Sequence, residues 1–205
     1  RYVAGSEKIQ PHFHMPLQSG SDKMLGLMRR RYQSDLYRSR VELIKKLMPE
    51  AAIGVDVITG HPGETDALFR ESYEFIEQLP VSYLHVFTYS ERPDTHALDL
   101  EPVVQDSIRK ERTHKLRRLS AKKRYQFDTT FSGEIRSVLF EGTNSNGTMY
   151  GWTDNYVRVG IPSNPKYENK ILPVRLGERA RGDYLIGTLT EEAKQEEQVI
   201  AELLD

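Results

Sequence analysis

The sequence predicts an α/β protein in which part of a parallel βα barrel, with about three βα units, precedes a small all-β barrel. Two observations carry this prediction. Apolar strands, polar turns and helical patterns alternate up to residue 131, as in a parallel sheet that is open or closed into a barrel. Short strands separated by Gly, Asn and Pro then follow, as in a small barrel. We predict domains at 1–131 and 132–190, and a tail at 191–205.

The first predicted unit has a strand near Phe13–Leu17, a polar turn "QSGSD" and then helical pattern. Its apolar positions recur at helical spacing. They are Met24, Leu25, Leu27, Met28, Leu36, Val41, Ile44 and Leu47.

The second predicted strand, "AIGVDVI", has β-branched residues on both faces, as a parallel strand covered on both sides would have. Its helix follows "HPGET", in which Thr65 is a natural N-cap. The third strand is "YLHVFTYS", and a long basic helix reaches about Phe131.

Five short segments after residue 131 predict the strands of the small barrel. They read "GEIRSVLFEG", "TMYGWT", "NYVRVGI", "KILPVRLGE" and "DYLIGTL". The last fifteen or so residues are interpreted as an exposed helix or a frayed tail.

Composition excludes several kinds of site. The chain has no cysteine, so disulfides, thiolate metal sites and a cysteine nucleophile within it are excluded. No stretch has the roughly 20 apolar residues of a membrane span, and the cytoplasm is the default compartment. The net charge of −1 conceals a basic block, "RKERTHKLRRLSAKKR", with nine Lys and Arg against one Glu. Such a block attracts phosphate groups.

The three polar turns all follow strands, and parallel sheets bind ligands beyond the carboxyl ends of their strands. Gln18 ends the first strand and has an amide that both donates and accepts hydrogen bonds. Arg30 on the following helix has a guanidinium suited to a carboxylate. Asp56 is a charge within an apolar strand. Asp56 also has an ordinary structural explanation as a helix cap or salt-bridge partner, and Arg30 has one as a solvated arginine among three.

Other polar residues leave alternatives open. The glycines of "GHPGET" allow a flat ligand to approach the backbone, although a turn and a helix cap explain them equally well. The histidines lack a metal-binding spacing, so we expect each to be satisfied within the fold or exposed, and we expect no metal site. Ser90 and Arg92, at the end of the third strand, either bind substrate or belong to an ordinary loop.

The basic helix and the small barrel suggest RNA binding, because aromatic rings stack on bases and cations contact phosphates. The alternative is a solvated helix face and aromatic residues that belong partly to the barrel core. The predicted RNA-binding residues are Lys115, Arg117, Arg118, Lys122, Lys123 and Arg124 on the helix, and Trp152, Tyr156 and Arg158 in the barrel, with Arg92 beside them.

Three motifs, "PLQSGSDKMLGLMRRRY", "DVITGHPGET" and "FTYSERPDTHA", together resemble the radical S-adenosylmethionine methylthiotransferases over nearly the entire chain. "LHVFTYS" and "YGWTDNYVRV" favour the branch that acts on N6-threonylcarbamoyladenosine next to the tRNA anticodon. The resemblance implies the second half of a radical barrel followed by an RNA-binding TRAM domain.

The resemblance also implies cofactors and site residues. S-adenosylmethionine would contact Gln18, Ser19, Arg30 and Asp56, and Gly60 and Gly63 would flank its adenine. The family's 4Fe-4S clusters need cysteines that this chain lacks, so we expect a fragment that is inactive alone. Its cut strand edges and an apolar inner face would favour self-association. Asp94 stands where many relatives have a glycine, which questions a turn with positive φ there.

Two alternatives stay open at this stage. The chain acts only as an RNA-binding module, or it comes from a related methylthiotransferase that modifies isopentenyladenosine or a ribosomal protein.

Overall fold

A computed structural model describes residues 2–143 and 147–191, and the chain divides into two compact units, residues 1–124 and 125–205. The helices are α1 (Asp22–Leu27), α2 (Ser34–Leu47), α3 (Asp66–Gln78) and α4 (Asp106–Thr129). The strands are β1 (His12–His14), β2 (Ala52–Thr59), β3 (Tyr83–Thr88), β4 (Ile135–Thr143), β5 (Thr148–Thr153), β6 (Arg158–Pro162), β7 (Ile171–Arg179) and β8 (Leu185–Leu189). Within the described ranges, no helix is both long and apolar enough to cross a membrane.

The first unit contains a parallel sheet in the order β1-β2-β3, which confirms the predicted βα units. Val55 and Val57 of β2 point to a core that also contains Val41 of α2 and Ile76 of α3. These apolar side chains lie at alternate positions because successive residues of a strand face opposite sides of the sheet. The helices therefore pack on one face of the sheet.

The opposite face of the sheet is polar in its middle. His14, Asp56 and His85 lie there, and both histidines are exposed. On this face of β2, Ala52 and Gly54 are buried while Asp56 and Ile58 are partly exposed, so the predicted cover on both sides holds for the first half of the strand only. The expected apolar inner face is interrupted by the three polar side chains. The β-branched side chains of β2 concentrate on the helix-packed face.

The first predicted helix is interrupted. Helix α1 ends at Leu27, and α2 begins at Ser34 after a turn in which Arg29 has a φ of 56°. Asp22 closes this turn, because its carboxylate accepts a hydrogen bond from the Ser34 backbone N–H at 2.7 Å. Arg30 consequently lies in the connection between two helices, and not on a helix as its sequence position suggested.

The second unit contains a closed barrel with the strand order β4-β5-β6-β8-β7. All neighbouring strands are antiparallel except β6 and β8. The barrel is filled by apolar side chains that include Phe140, Met149, Val159 and Leu176. The five predicted strands are confirmed, and residues 192–205 of the predicted tail lie outside the described residues.

Candidate functional site

A cavity of about 370 Å³ opens at the carboxyl ends of β2 and β3. Ile58 and Phe87 give it an apolar wall, while Ser90 and Arg92 bring polar groups to it. Thr88, Tyr89, Thr95 and Ala97 complete its lining. This is the edge at which parallel sheets place ligands, so the cavity is the candidate binding site of the first unit.

Arg109 of α4 contacts the loop that follows β3 and lines this cavity. Its Nη2 contacts the Glu91 carboxylate at 2.6 Å, and its Nε donates to the Val104 carbonyl at 2.8 Å. The guanidinium also lies 5.4 Å from the ring centroid of Tyr89. The hydrogen bond from Arg109 lowers the pKa of Glu91. Arg109 thus belongs to the support of the loop.

Asp94 has a φ of 59° in this loop. The turn with positive φ that the sequence left in question is therefore present, and Asp tolerates the left-handed region better than most residues. The Thr95 hydroxyl donates to the Arg92 carbonyl at 2.8 Å and fixes the following turn. Arg92 is exposed and lines the cavity.

The turn after β2 contains a buried ion pair. Glu64 Oε2 accepts a hydrogen bond from the Gly60 backbone N–H at 2.7 Å and another from Arg112 Nη1 at 2.7 Å. Arg112 Nη2 also contacts the Asp66 carboxylate at 2.6 Å. Burial raises the pKa of Glu64, while its hydrogen bonds from Gly60 and Arg112 act in the opposite direction. The sequence pattern predicted Thr65 as the N-cap of α3, and the structure confirms it, because the Thr65 hydroxyl accepts a hydrogen bond from the Leu68 N–H. The sequence gave no signal for the ion pair between Glu64 and Arg112.

A backbone hydrogen bond joins Gln18 to Asp56. The Asp56 carbonyl accepts a hydrogen bond from the Gln18 N–H at 2.8 Å, and the Gln18 carbonyl accepts one from the Ile58 N–H at 2.9 Å. Gln18 has a φ of 74°, which is strained for a residue with a side chain. Among the described residues, no hydrogen bond engages its side-chain amide. Ser19 is buried, and its hydroxyl donates to Ser72 Oγ at 3.3 Å, so it supports the turn.

Arg30 lies in a different cavity, of about 410 Å³, which is lined by Asp22, Gly26, Arg31, Tyr32, Gln33 and Leu36 as well. A third cavity, of about 350 Å³, contains His14 and shares Tyr32 and Leu36 with it. The structure thus joins Gln18 to Asp56, but none of these three cavities contains Arg30 together with either residue.

Gly60 and Gly63 have φ values of 74° and 87°. A Cβ on Gly60 would overlap the side chain of Arg109, and one on Gly63 would lie 2.8 Å from Leu27 Cδ1. The space beside both glycines is therefore filled by the protein itself, which supports the turn-and-packing explanation of these residues.

The cationic side chains of the basic block in α4 divide into a buried group, a group with partners at the surface and an exposed group. Arg109, Arg112 and Lys123 are buried. Lys115 contacts Glu111 at 2.7 Å, Lys122 contacts Glu77 at 3.5 Å, and the Arg124 guanidinium lies 4.1 Å from the ring centroid of Tyr83. Arg117 and Arg118 are exposed, and no hydrogen bond or ion pair within the described part of the chain engages their side chains. The block is thus partly a structural element and partly a solvent-facing cationic surface.

Lys123 donates hydrogen bonds to the carbonyls of Leu79 at 2.7 Å and Glu77 at 2.9 Å. These bonds fasten α4 to the end of α3, so the ammonium is not available to RNA. The sequence analysis predicted Lys123 to bind RNA together with its neighbours Lys122 and Arg124. Sequence position does not show that the Lys123 side chain reaches two backbone carbonyls.

Burial of Lys123 predicts a pH-dependent stability. Desolvation lowers its pKa to about 8, so the unfolded state binds more protons than the folded state between about pH 8 and its usual value of 10.5. Stability rises with pH wherever the unfolded state binds more protons. From pH 7 to 9.5, the unfolding free energy of the native chain should rise by about 2 kcal/mol relative to that of Lys123→Met.

Urea unfolding of both proteins across this pH range measures the difference, with Lys122→Met as the control on an exposed neighbour. A constant difference between the native chain and Lys123→Met would contradict the assigned pKa.

The barrel carries an outward-facing aromatic patch, which we define as Tyr150, Trp152, Tyr156 and Arg158. The rings of Trp152 and Tyr156 are stacked, with centroids 4.4 Å apart and planes at 18°. The Arg158 guanidinium lies 4.0 Å from the ring centroid of Tyr150. Its Nε is buried and has no hydrogen-bond partner among the described residues. None of the four belongs to the barrel core.

Curated relatives match the chain at substantial identity. The threonylcarbamoyladenosine tRNA methylthiotransferase MtaB of Aquifex aeolicus is 41% identical over 160 residues, which are 78% of this chain and 38% of the relative. The enzyme of the same name from Bacillus subtilis is 36% identical over 175 residues, 83% of this chain and 39% of the relative. The tRNA-2-methylthio-N(6)-dimethylallyladenosine synthase of Wolinella succinogenes is 37% identical over 185 residues, 90% of this chain and 42% of the relative.

The chain is homologous to tRNA methylthiotransferases over most of its length. It spans about two fifths of the length of these curated relatives. The matched 185 residues exceed the 124 of the first unit, so the homology extends over both units. No protein-family profile matches the chain. One solved structure, the radical SAM enzyme coproporphyrinogen III oxidase from Escherichia coli, is 13% identical to this chain with a TM-score of 0.47. The match covers 93% of this chain and 48% of that enzyme.

The residues present fit the family's two cofactors to different extents. Iron–sulfur clusters are held by cysteine thiolates, and the chain has no cysteine, so it cannot itself ligate such a cluster. Gln18 has a strained backbone, and among the described residues no hydrogen bond engages its side-chain amide. Strain of this kind clusters at ligand sites, so this residue is suited to a contact with S-adenosylmethionine. The fit therefore rests on Gln18 and its neighbour Asp56.

Proposed function

We propose that this chain is the part of a radical S-adenosylmethionine enzyme that holds the nucleoside cofactor and the tRNA while a methylthio group is added to N6-threonylcarbamoyladenosine beside the anticodon. The observation that carries the proposal is the homology to tRNA methylthiotransferases over both units. The family's cluster cysteines would come from the remaining part of the enzyme, and the chain by itself should be inactive. A cytoplasmic location accords with a tRNA substrate.

The proposed contacts with S-adenosylmethionine centre on the turn after β1. Gln18 would bind a sugar hydroxyl of S-adenosylmethionine, Ser19 would hold the turn, and Asp56 would accept a further hydrogen bond. Bound S-adenosylmethionine supplies the adenosyl radical and the methyl group of this chemistry. Gly60 and Gly63 would shape the adjacent turn, and Arg30 would reach the cofactor carboxylate only through a rearrangement of the α1–α2 connection.

The proposed RNA contacts come from α4 and, separately, from the barrel. In α4, the exposed Arg117 and Arg118 and the neighbouring Lys115, Lys122 and Arg124 would contact phosphates, which is a sequence-independent interaction. In the barrel, the aromatic patch would stack on unpaired bases, with Arg158 adding a cation to the stack. Lys123 is excluded from this surface because its ammonium is engaged by two carbonyls.

The choice of modified base rests on Arg92. The threonylcarbamoyl group carries a carboxylate, whereas the dimethylallyl group is a hydrocarbon. A guanidinium at the wall of the cavity favours the first, because charge-assisted hydrogen bonds to carboxylates are the stronger kind. The relatives include enzymes named for each base, and the dimethylallyl enzyme is the second candidate because Ile58 and Phe87 are apolar.

The test of this choice is an Arg92→Gln variant. Its affinity for an anticodon stem-loop bearing N6-threonylcarbamoyladenosine should fall about tenfold, since a hydrogen bond to a charged group is worth about 1.5–3 kcal/mol. Its affinity for the dimethylallyl stem-loop should stay unchanged. Fluorescence anisotropy measures both, with Arg70→Gln, on the exposed face of α3, as the matched control. Equal losses with both stem-loops would assign Arg92 to the RNA backbone and favour the second candidate.

A binding module without catalysis is the alternative from a different class. Under that alternative, the aromatic patch would account for all of the affinity, and the carboxyl-end cavity would not distinguish modified from unmodified adenosine. The same anisotropy series separates the two, because only the enzyme proposal predicts a response to the N6 group.

A further inference from the structure

Three potential metal ligands meet on the uncovered face of the parallel sheet. His14 comes from β1, Asp56 from β2 and His85 from β3, and one ligand atom from each lies within 4.8 Å of the others. His14 Nε2 is 3.0 Å from Asp56 Oδ2, and the two imidazole rings have centroids 5.5 Å apart. Sequence spacing concealed this group, because its members belong to three different strands.

The sheet itself brings the three side chains together. Asp56 and His85 are paired in the register of β2 with β3, and His14 pairs with Gly54, two residues before Asp56. All three side chains therefore project from the same face, since residues two apart on a strand share a face. Ligands on neighbouring strands of one hydrogen-bonded sheet are held more rigidly than ligands on loops.

The donor set defines the kind of ion. Two imidazoles and one carboxylate suit divalent first-row transition metals, whereas Mg²⁺ and Ca²⁺ prefer oxygen ligands alone. Metal–ligand distances of about 2.0–2.2 Å place adjacent donors slightly more than 3 Å apart, so the present separations require only side-chain adjustment. The His14 and His85 rings are also exposed, which gives an ion access.

We propose that His14, Asp56 and His85 form a site for a single divalent transition-metal ion such as Zn²⁺, with at least one coordination position left open. Three protein ligands with an open position are typical of metal sites that bind a further ligand. His12 is on the same face, but its Nε2 is hydrogen-bonded to the Tyr83 hydroxyl at 2.7 Å, so it supports the face and is not a fourth ligand. The open position would accept water or an anionic group of a bound molecule.

The simpler explanation is an ion pair between His14 and Asp56 with His85 as a bystander. That explanation predicts no role for His85, so the test is built on this residue. Asp56 is shared with the proposed cofactor contacts, whereas His85 has no part in the proposed cofactor or tRNA contacts. The His85 variant therefore tests the metal site separately from the proposed function.

The experiment titrates the 205-residue chain with Co²⁺ and Zn²⁺, without S-adenosylmethionine. Calorimetry should give one Zn²⁺ per chain, and Co²⁺ should produce visible absorption bands that one equivalent of Zn²⁺ abolishes. His85→Asn and Asp56→Asn should each weaken Zn²⁺ binding at least tenfold. His114→Asn, which removes an exposed histidine on α4, should leave it unchanged. Circular dichroism establishes that each variant is folded.

Three results would overturn the site. The native chain shows no stoichiometric Zn²⁺ binding, His85→Asn binds Zn²⁺ as tightly as the native chain, or His114→Asn loses as much affinity as His85→Asn. If Asp56→Asn fails to fold, Asp56→Glu provides the second variant. A loss of affinity in folded His85→Asn decides in favour of the site, because the ion-pair explanation gives that residue no function.

Discussion

Replacing Arg112 with methionine should lower the free energy of unfolding by about 3–5 kcal/mol, because it leaves the buried Glu64 carboxylate without its partner. Arg112 and Glu64 are both almost completely buried, with exposed side-chain fractions of 6% and 2%. Arg112 also donates to the Glu64 carbonyl at 2.9 Å, so the substitution removes a backbone contact together with the charge. Urea unfolding at neutral pH measures the loss.

Two controls separate the buried pair from a general effect of removing a cation. Arg117→Met changes an exposed arginine on the same helix and should alter stability by no more than about 0.5 kcal/mol. The double variant Arg112→Met with Glu64→Gln should recover part of the loss, because no buried charge then stays unpaired. A single Arg112→Met variant as stable as Arg117→Met would show that the ion pair does not hold the turn after β2.

Replacing Trp152 with alanine should weaken tRNA binding by up to about 100-fold, since stacking of a base on an aromatic ring is worth about 1–3 kcal/mol. The substitution also removes the ring on which Tyr156 stacks at 4.4 Å, so two stacking faces change together. The barrel core should be unaffected, because Trp152 does not belong to it. Anisotropy with a labelled tRNA at fixed salt measures the affinity.

The matched control is Tyr125→Ala, which removes an exposed aromatic side chain outside the patch. Raising the salt concentration should weaken native and Trp152→Ala binding with the same slope, because stacking releases no counterions. A steeper slope in one of the two, or an equal loss in Tyr125→Ala, would count against stacking by the patch.

Much of the fold could be predicted from the sequence because its signals are local. Strand alternation, the Thr65 cap and the spacing of Gly, Asn and Pro gave the three βα units and the five barrel strands. The interruption between α1 and α2 could not be predicted, since it depends on the Asp22 carboxylate reaching Ser34 across the turn. Arg29 supplies the positive φ there without any glycine to indicate it.

The candidate site was only partly predictable for a similar reason. Gln18, Asp56 and Arg92 could be chosen because they follow or interrupt strands, and strand ends meet at one edge of the sheet. The roles of Arg109, Arg112 and Lys123 could not be separated from those of Arg117 and Arg118, because all five belong to one basic run. The group of His14, Asp56 and His85 depends on strand register, which a single sequence does not show.

The central claim is that this chain recognises a modified adenosine in tRNA, and the affinity of the native chain for two stem-loops tests it most directly. The stem-loops differ only in the presence or absence of the threonylcarbamoyl group on the adenosine beside the anticodon. The account predicts about tenfold tighter binding of the modified one. Equal dissociation constants for the two stem-loops would contradict it.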